Sequence, residues 1–286
     1  SENSLRVQVP FDPALTRPAL LEKFRLEQAD KVALIEGTQS RTWGESIERI
    51  YRMANGLAAL GIGHGDYVAM LSPNSMDYSE MFAATLLAGA CAVPMQGMIT
   101  DHSLDLMLRD CNAKALIVAS DMEKMAGVFL RDCAQIVPGG LIGFDFSNDQ
   151  FRDLDRWLGA QSDAMPNVQL AGDAEFNIIY SSGTTGTPKG IIHSHRTRQA
   201  LAIGLMSLGI TSDAITLIAT PLYSNTTITT WWPTLCAGVT LVIMPKFDAA
   251  GALQFIHEHM VTHVSFSYTH LTLPPQRTLY IPCLLL

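Results

Sequence analysis

The chain has 286 residues, of which 48% are apolar and 16% are charged, a composition that excludes general disorder and fibrous proteins. Its formal net charge is −8, because 27 Asp and Glu residues outweigh 19 Lys and Arg residues, and this sign argues against nucleic-acid binding. Five cysteines without a CxxC pair, and the lack of a long apolar segment, predict a cytoplasmic protein that is neither exported nor membrane-spanning.

Short apolar runs alternate with amphipathic segments along most of the chain. This alternation is typical of an α/β fold with layered, mostly parallel sheets flanked by helices. The predicted elements of the first half are strand 32–35, a helix through 47–58 that ends at Gly61, strand 67–71, helix 75–90, strand 91–95, helix 101–111 and strand 114–119.

The second half repeats this pattern after a weakly periodic stretch at 161–173, whose Pro and Gly residues indicate a connector. We therefore expect a first α/β subdomain over 1–165 and part of a second α/β subdomain over 166–266. The tail 267–286 continues the layered pattern poorly, and its origin is doubtful. Further elements are predicted as strands at 176–180, 215–219 and 239–244 and helices at 197–208 and 249–259.

The segment YSSGTTGTPKG, residues 180–190, directly follows a predicted apolar strand. Its glycines let the backbone approach a ligand closely, its hydroxyl groups donate to anionic oxygens, and Lys189 adds a positive charge. These properties suit a polyphosphate, although flexible turns have a similar composition. A Walker A loop is disfavoured, because that pattern needs glycine at Pro188 and serine or threonine at Gly190.

The longer segment IIYSSGTTGTPKG resembles the phosphate-loop signature of the adenylate-forming (AMP-binding) superfamily, which includes acyl-CoA and aryl-CoA synthetases. The resemblance covers about 11–266 and implies the N-terminal domain of such an enzyme, in truncated form. Supporting segments follow the family's order as GIGHGD (61–66), VAMLSPNS (68–75), LLAGACAVPM (86–95), AKALIVAS (113–120), PLYSN (221–225) and CAGVTLVIMPKFD (236–248).

In that family a carboxylate attacks the α-phosphorus of ATP to give an acyl-adenylate and pyrophosphate, and in the CoA ligases a thiol then displaces AMP. The resemblance thus implies ATP, CoA and a fatty or aryl carboxylic acid as substrates, with Mg²⁺ accompanying ATP. Lys189 and Thr184 are the implied catalytic residues. The implied nucleotide-binding residues are Ser181, Ser182, Gly183, Thr184, Thr185, Gly186, Thr187, Pro188, Lys189 and Gly190.

Tyr223 and Ser224 fall in a motif that reads Pro-Leu-Phe/Tyr-His in many CoA ligases of this family and lines the acyl pocket. Here Ser224 replaces the histidine, so the pocket is expected to accept a different acyl group or to gate differently. An ordinary turn at a strand end is the alternative.

Several other motifs of the family are missing: a glutamate that holds magnesium, an aspartate that binds ribose, and a lysine of the C-terminal domain. We therefore expect an inactive fragment of an ATP-dependent carboxylate–CoA ligase. A non-catalytic nucleotide-binding or scaffold protein with the same fold remains the alternative.

Histidines and tryptophans give weaker signals. His193 and His195, and a second group near His257, could contact a metal, but the HExxH pattern fails at Val261 and no ligand set is complete. We therefore predict structural roles for these histidines. The Trp231-Trp232 pair is expected to fill the core rather than line an acyl channel.

Overall fold

The computed structural model describes residues 11–13, 16–97, 101–129, 135–181, 189–207 and 209–265. Its helices are α1 (Arg17–Glu27), α2 (Trp43–Ala59), α3 (Met76–Leu87), α4 (Asp101–Cys111), α5 (Glu123–Phe129), α6 (Leu154–Leu158), α7 (His195–Met206), α8 (Asn225–Ala237) and α9 (Ala249–Glu258). Its strands are β1 (Val32–Glu36), β2 (Gln39–Thr42), β3 (Tyr67–Leu71), β4 (Cys91–Pro94), β5 (Ala115–Val118), β6 (Leu141–Gly143), β7 (Arg152–Asp153), β8 (Glu175–Ser181), β9 (Lys189–Ser194), β10 (Ile215–Ile218), β11 (Thr240–Ile243) and β12 (His263–Ser265).

These strands form two sheets. The larger sheet has the order β7-β6-β5-β3-β4-β8-β9, and its strands pair in parallel except for the antiparallel hairpin of β8 and β9. The smaller sheet has the order β12-β10-β11-β1-β2, and only β1 and β2 pair antiparallel. This arrangement confirms the predicted fold class of mostly parallel sheets flanked by helices.

Helix α2 shows how the local sequence builds these layers. Thr42 and Glu45 form a capping box at its start, where each side chain accepts a hydrogen bond from the backbone N–H of the other. Its apolar face is buried, and the helix stops just before Gly61, which has a positive φ of 78°. At Gly56 the helix lies so close to α6 that a Cβ would overlap the ring of Trp157.

The largest core cluster lies between the two sheets. Helices α2, α3 and α8 contribute Ile47, Phe82 and Trp231 to it, and these residues pack with Leu34 of the smaller sheet and Val68 of the larger sheet. A second cluster lies between the larger sheet and α4, and a third lies between the smaller sheet and α9. The layers are therefore helix, sheet, helix, sheet and helix.

Most predicted elements are confirmed with small shifts at their ends. The elements that were not predicted are α1, α5, α6, α8, β2, β6, β7, β9 and β12. Helix α8 is rich in threonine and contains Pro233, both of which disfavour a helix in isolation. It forms because Trp231 and Trp232, at 0% and 4% exposure, bury its apolar side in the core. This confirms that the tryptophan pair fills the core.

Each of the two sheets contains strands from the predicted subdomain 1–165 and from the predicted subdomain 166–266. Strands β1 and β2 join the smaller sheet, whereas β8 and β9 complete the larger one. The stretch 161–173 contains no helix or strand, as a connector requires. The division into subdomains stays a prediction, and the tail 267–286 lies outside the described residues. In the part of the chain that is described, no helix is both long and apolar enough to cross a bilayer.

Candidate functional site

The carboxyl ends of strands from both sheets meet at Asn74. This residue follows β3, and its Nδ2 donates to the carbonyl oxygens of Thr220 (2.9 Å) and Met244 (3.2 Å), which follow β10 and β11. Its Oδ1 accepts a hydrogen bond of 2.8 Å from the N–H of Leu222. Asn74 is only 3% exposed, so one buried amide joins the two sheets at the edge where α/β folds commonly bind ligands.

The predicted phosphate loop is attached to the larger sheet at the same edge. Strand β8 runs parallel to β4, which runs parallel to β3, so their carboxyl ends point the same way. Strand β9 returns antiparallel, and Ser181 and Lys189 face each other across the two strands. Both residues are exposed. The predicted residues between them, Ser182, Gly183, Thr184, Thr185, Gly186, Thr187 and Pro188, lie outside the described residues.

Contacts that the sequence did not predict fix the strands beside this loop. The hydroxyl of Tyr180 donates to Asp110 Oδ2 at 2.6 Å and ties the end of β8 to α4. Burial and this carboxylate raise the pKa of Tyr180. Gly190 allows close packing of the hairpin, because a Cβ there would lie 2.9 Å from Ile178 Cγ2. Asp110 lies in the last turn of α4, where its negative charge interacts unfavourably with the helix dipole. This unfavourable position was the sequence feature that could have indicated a specific role for Asp110.

Tyr223 and Ser224 lie next to the Asn74 junction, directly after Leu222, and Ser224 is the residue that precedes α8. Tyr223 is half-buried, and its burial raises the pKa of its phenol. The phenol of Tyr78, on α3, is buried close to Tyr223, and its hydroxyl has no hydrogen-bond partner within the described residues. The sequence did not single out Tyr78; a tyrosine among apolar neighbours on α3 was the only hint.

An apolar cavity of about 250 Å³ lies between α1, α7 and α8. One of its lining residues, Ile203, is 46% exposed. Such a cavity suits a hydrocarbon or aromatic group rather than a charged one. It is lined by Leu20, Gln199, Ala202, Ile203, Met206 and Cys236.

The histidines occupy separate environments. His193 lies half-buried on β9, and His195 is the buried first residue of α7, with its ring centroid 5.2 Å from that of Phe176. Across the described ranges, no group of three His, Cys, Asp or Glu side chains is placed to hold a metal ion.

His195 should make stability depend on pH. Burial, and to a lesser extent nearby His64, lowers the pKa of His195 from 6.5 to about 4. Between these values the unfolded chain binds more protons than the folded chain, so the free energy of unfolding falls as the pH drops from about 6.5 to 4. The full loss is about 3 kcal/mol.

Urea unfolding across this pH range tests the effect, with His195→Gln expected to flatten the decline. His257→Gln, at an exposed position of α9, serves as the control and should keep the wild-type slope. A decline of unchanged size in the His195 variant would assign the pH dependence to other groups.

Comparison with known proteins decides the family. A family model for AMP-binding enzymes matches residues 21–273, a span that includes every described strand and both ends of the predicted phosphate loop. The chain belongs to the AMP-binding enzyme family. This result confirms the resemblance that the phosphate-loop segment indicated.

Relatives of this AMP-binding chain include CoA ligases. The long-chain-fatty-acid–CoA ligase FadD13 of Mycobacterium tuberculosis (strain CDC 1551 / Oshkosh) is 32% identical over 211 residues, which cover 73% of this chain and 41% of the relative. The chain thus spans less than half the length of this relative.

Two solved structures share the fold. The inhibitor-bound N-terminal domain of FACL13 from M. tuberculosis has a TM-score of 0.77 and 26% identity, and the match covers 87% of this chain and 62% of that one. O-succinylbenzoate CoA synthetase (MenE) from Bacillus subtilis, in complex with ATP and a magnesium ion, has a TM-score of 0.72 and 26% identity. The match covers 86% of this chain and 49% of that one.

Proposed function

We propose that the chain is the part of an ATP-dependent carboxylate–CoA ligase that binds ATP and the acid. In this proposal the acid and ATP form an acyl-adenylate, and CoA then displaces AMP to give an acyl-CoA. The observation that carries the proposal is the pairing of Ser181 with Lys189 at the sheet edge that Asn74 organises, in a chain of the AMP-binding family. Its relatives include the CoA ligase FadD13 and the CoA synthetase MenE, which supports this reaction class.

The segment Ser181–Gly190 is proposed to hold the β- and γ-phosphates of ATP, together with Mg²⁺. Its hydroxyl and backbone N–H groups would donate to phosphate oxygens, and the exposed Lys189 ammonium would meet the charge that develops on the departing pyrophosphate. Thr184 is the proposed second catalytic donor. Donors that are fixed in place before the reaction lower its barrier, because they need no reorganisation as the charge moves.

The acid is proposed to bind beside Tyr223 and Ser224. Both residues lie next to the strand ends that Asn74 joins, so a carboxylate there would be close to the nucleotide side. A fatty acid of long or medium chain, or an aryl acid, is the proposed substrate, since relatives of this chain are CoA ligases. The apolar cavity between α1, α7 and α8 lies near Cys236, at the end of α8 opposite to Ser224, and is not part of this acid site. Ser224 leaves more space than a histidine would at this position.

We also propose a cytoplasmic location. The cysteines that the structure describes, Cys91, Cys111 and Cys236, are buried free thiols. Free thiols fit a reducing compartment, where disulfides are rare.

Pyrophosphate–ATP exchange tests the proposed reaction in the complete enzyme that carries this chain. We expect exchange that depends on a fatty or aryl acid, and acyl-CoA formation when CoA is added. The 286-residue chain alone should form neither AMP nor a thioester, because it lacks the family's ribose and magnesium motifs. ATP binding without acid-dependent exchange by the complete enzyme would favour a non-catalytic nucleotide-binding protein.

A further inference from the structure

We propose that Arg198 is a positioning residue that couples the nucleotide side of the candidate site to its acid side. The proposal rests on the proposed function. Arg198 lies on α7 and is 2% exposed. Its Nε donates to Asn177 Oδ1 and its Nη1 to Asn225 Oδ1, each at 3.0 Å. One rigid guanidinium therefore holds side chains of two different elements.

These two elements lead to the two halves of the candidate site. Asn177 lies on β8, the strand that continues to Ser181 and the predicted phosphate loop. Asn225 is the first residue of α8 and directly follows Tyr223 and Ser224. A shift of β8 when the phosphate loop binds nucleotide would therefore move the start of α8 through a single planar group.

Its surroundings limit the motion of Arg198. The guanidinium carbon lies 5.9 Å from the ring centroid of Phe176, whose ring in turn packs edge-on against Trp232 with the centroids 4.6 Å apart. Asn177 is fully buried, so the surrounding residues also restrict the motion of its side chain. The link between β8 and α8 is thus stiff, as a coupling element must be.

Stabilisation of the fold does not account for this arrangement. Within the described residues no carboxylate pairs with Arg198, and Nη2 of Arg198 and Nδ2 of Asn177 have no hydrogen-bond partner. Burial also lowers the pKa of Arg198 to about 10. A buried cation with incomplete hydrogen bonding is costly, and an apolar side chain of similar size would fill the space at lower cost. The arginine instead provides a defined geometry between Asn177 and Asn225.

Such a link predicts a measurable coupling between ligands. If nucleotide and acid each favour the same arrangement of β8 and α8, each ligand must raise the affinity for the other by the same factor. We expect this factor to be about fivefold or more, within the usual range for coupled sites. Without the two hydrogen bonds of Arg198 the factor should fall towards one.

Titration calorimetry on the complete enzyme that carries this chain tests this prediction. The probes are Mg²⁺ with α,β-methylene-ATP, which cannot release pyrophosphate, and dodecanoate, each titrated alone and with the other present at saturation. Arg198→Met keeps the length of the side chain but removes both hydrogen bonds, and Arg198→Lys keeps the charge but not the planar fork. Both variants should lose the coupling factor while each ligand, titrated alone, binds with nearly wild-type affinity.

Arg196→Met is the matched control, because Arg196 lies on the same helix and contacts Asp173 at the surface. It should keep the wild-type coupling. Asn225→Ala removes only one of the two hydrogen bonds and provides a second test if the Arg198 variants do not fold. It should also lower the coupling factor.

The outcomes separate the two proposals. A wild-type factor near one, or an unchanged factor in a folded Arg198 or Asn225 variant, overturns the coupling role and leaves the proposed function standing. If the complete wild-type enzyme binds neither probe, the proposed function is contradicted and the coupling role falls with it.

Discussion

Replacing Lys189 by alanine should lower acid-dependent pyrophosphate–ATP exchange about 100-fold or more in the complete enzyme. Lys189 begins β9 opposite Ser181, and its side chain is exposed beside the predicted phosphate loop. In the proposed reaction its ammonium group interacts with the negative charge on the departing pyrophosphate. This charge is larger in the transition state than in bound ATP. Removing one such fixed donor typically costs a factor of about 10² to 10³ in rate.

Stability should change little in the same variant, because an exposed lysine at a strand end contributes at most a few tenths of a kcal/mol. Lys246→Ala, at an exposed position after β11, is the matched control and should keep the wild-type exchange rate. Lys189→Arg keeps the charge and should retain part of the activity. Wild-type exchange by the alanine variant would remove Lys189 from the mechanism.

Replacing Trp231 by alanine should lower the free energy of unfolding of the chain by about 3–5 kcal/mol. Trp231 is fully buried between the sheets, and its ring centroid lies 4.5 Å from that of Phe82 on α3. Its Nε1 donates to Ser79 Oγ at 2.8 Å. The substitution opens a large cavity and leaves the serine hydroxyl without this donor, and both effects destabilise the folded state.

Urea unfolding at one pH measures this loss. Trp231→Phe keeps an aromatic ring against Phe82 and should lose less stability than the alanine variant. Leu253→Ala is the surface control, since Leu253 is 40% exposed on α9, and it should change stability by less than about 0.5 kcal/mol. A loss below about 1 kcal/mol for Trp231→Ala would mean that α8 contributes far less to the core than its burial indicates.

The sequence by itself determined the fold class and the family. Apolar runs such as Tyr67–Leu71 and Ala115–Val118 are buried on both faces of a parallel sheet, and such runs produce a strong local signal. The phosphate-loop segment identified the family because its glycines, hydroxyls and lysine stand next to one another in the chain. The family can therefore be recognised from this local segment, without residues that are distant in the chain.

Elements with weak local signals were missed. Strand β9 begins with Lys189-Gly190, directly after the predicted loop, and it forms because β8 lies beside it as a template. Helix α8 contains Pro233 and several threonines, and burial of its two tryptophans outweighs their low helix propensity. In both cases packing decided what local propensity did not.

Only the tertiary structure decided how the sheets are assembled and where the site residues meet. Strands β1 and β11 pair although most of the chain separates them, and Asn74 binds carbonyl groups 146 and 170 residues away. The hydrogen bonds of Arg198 likewise join β8 to α8. A local pattern reports which face of an element is apolar, but not which distant partner covers it. That choice depends on the packing of all layers together, so Asn74, Tyr78 and Arg198 became visible only in the folded chain.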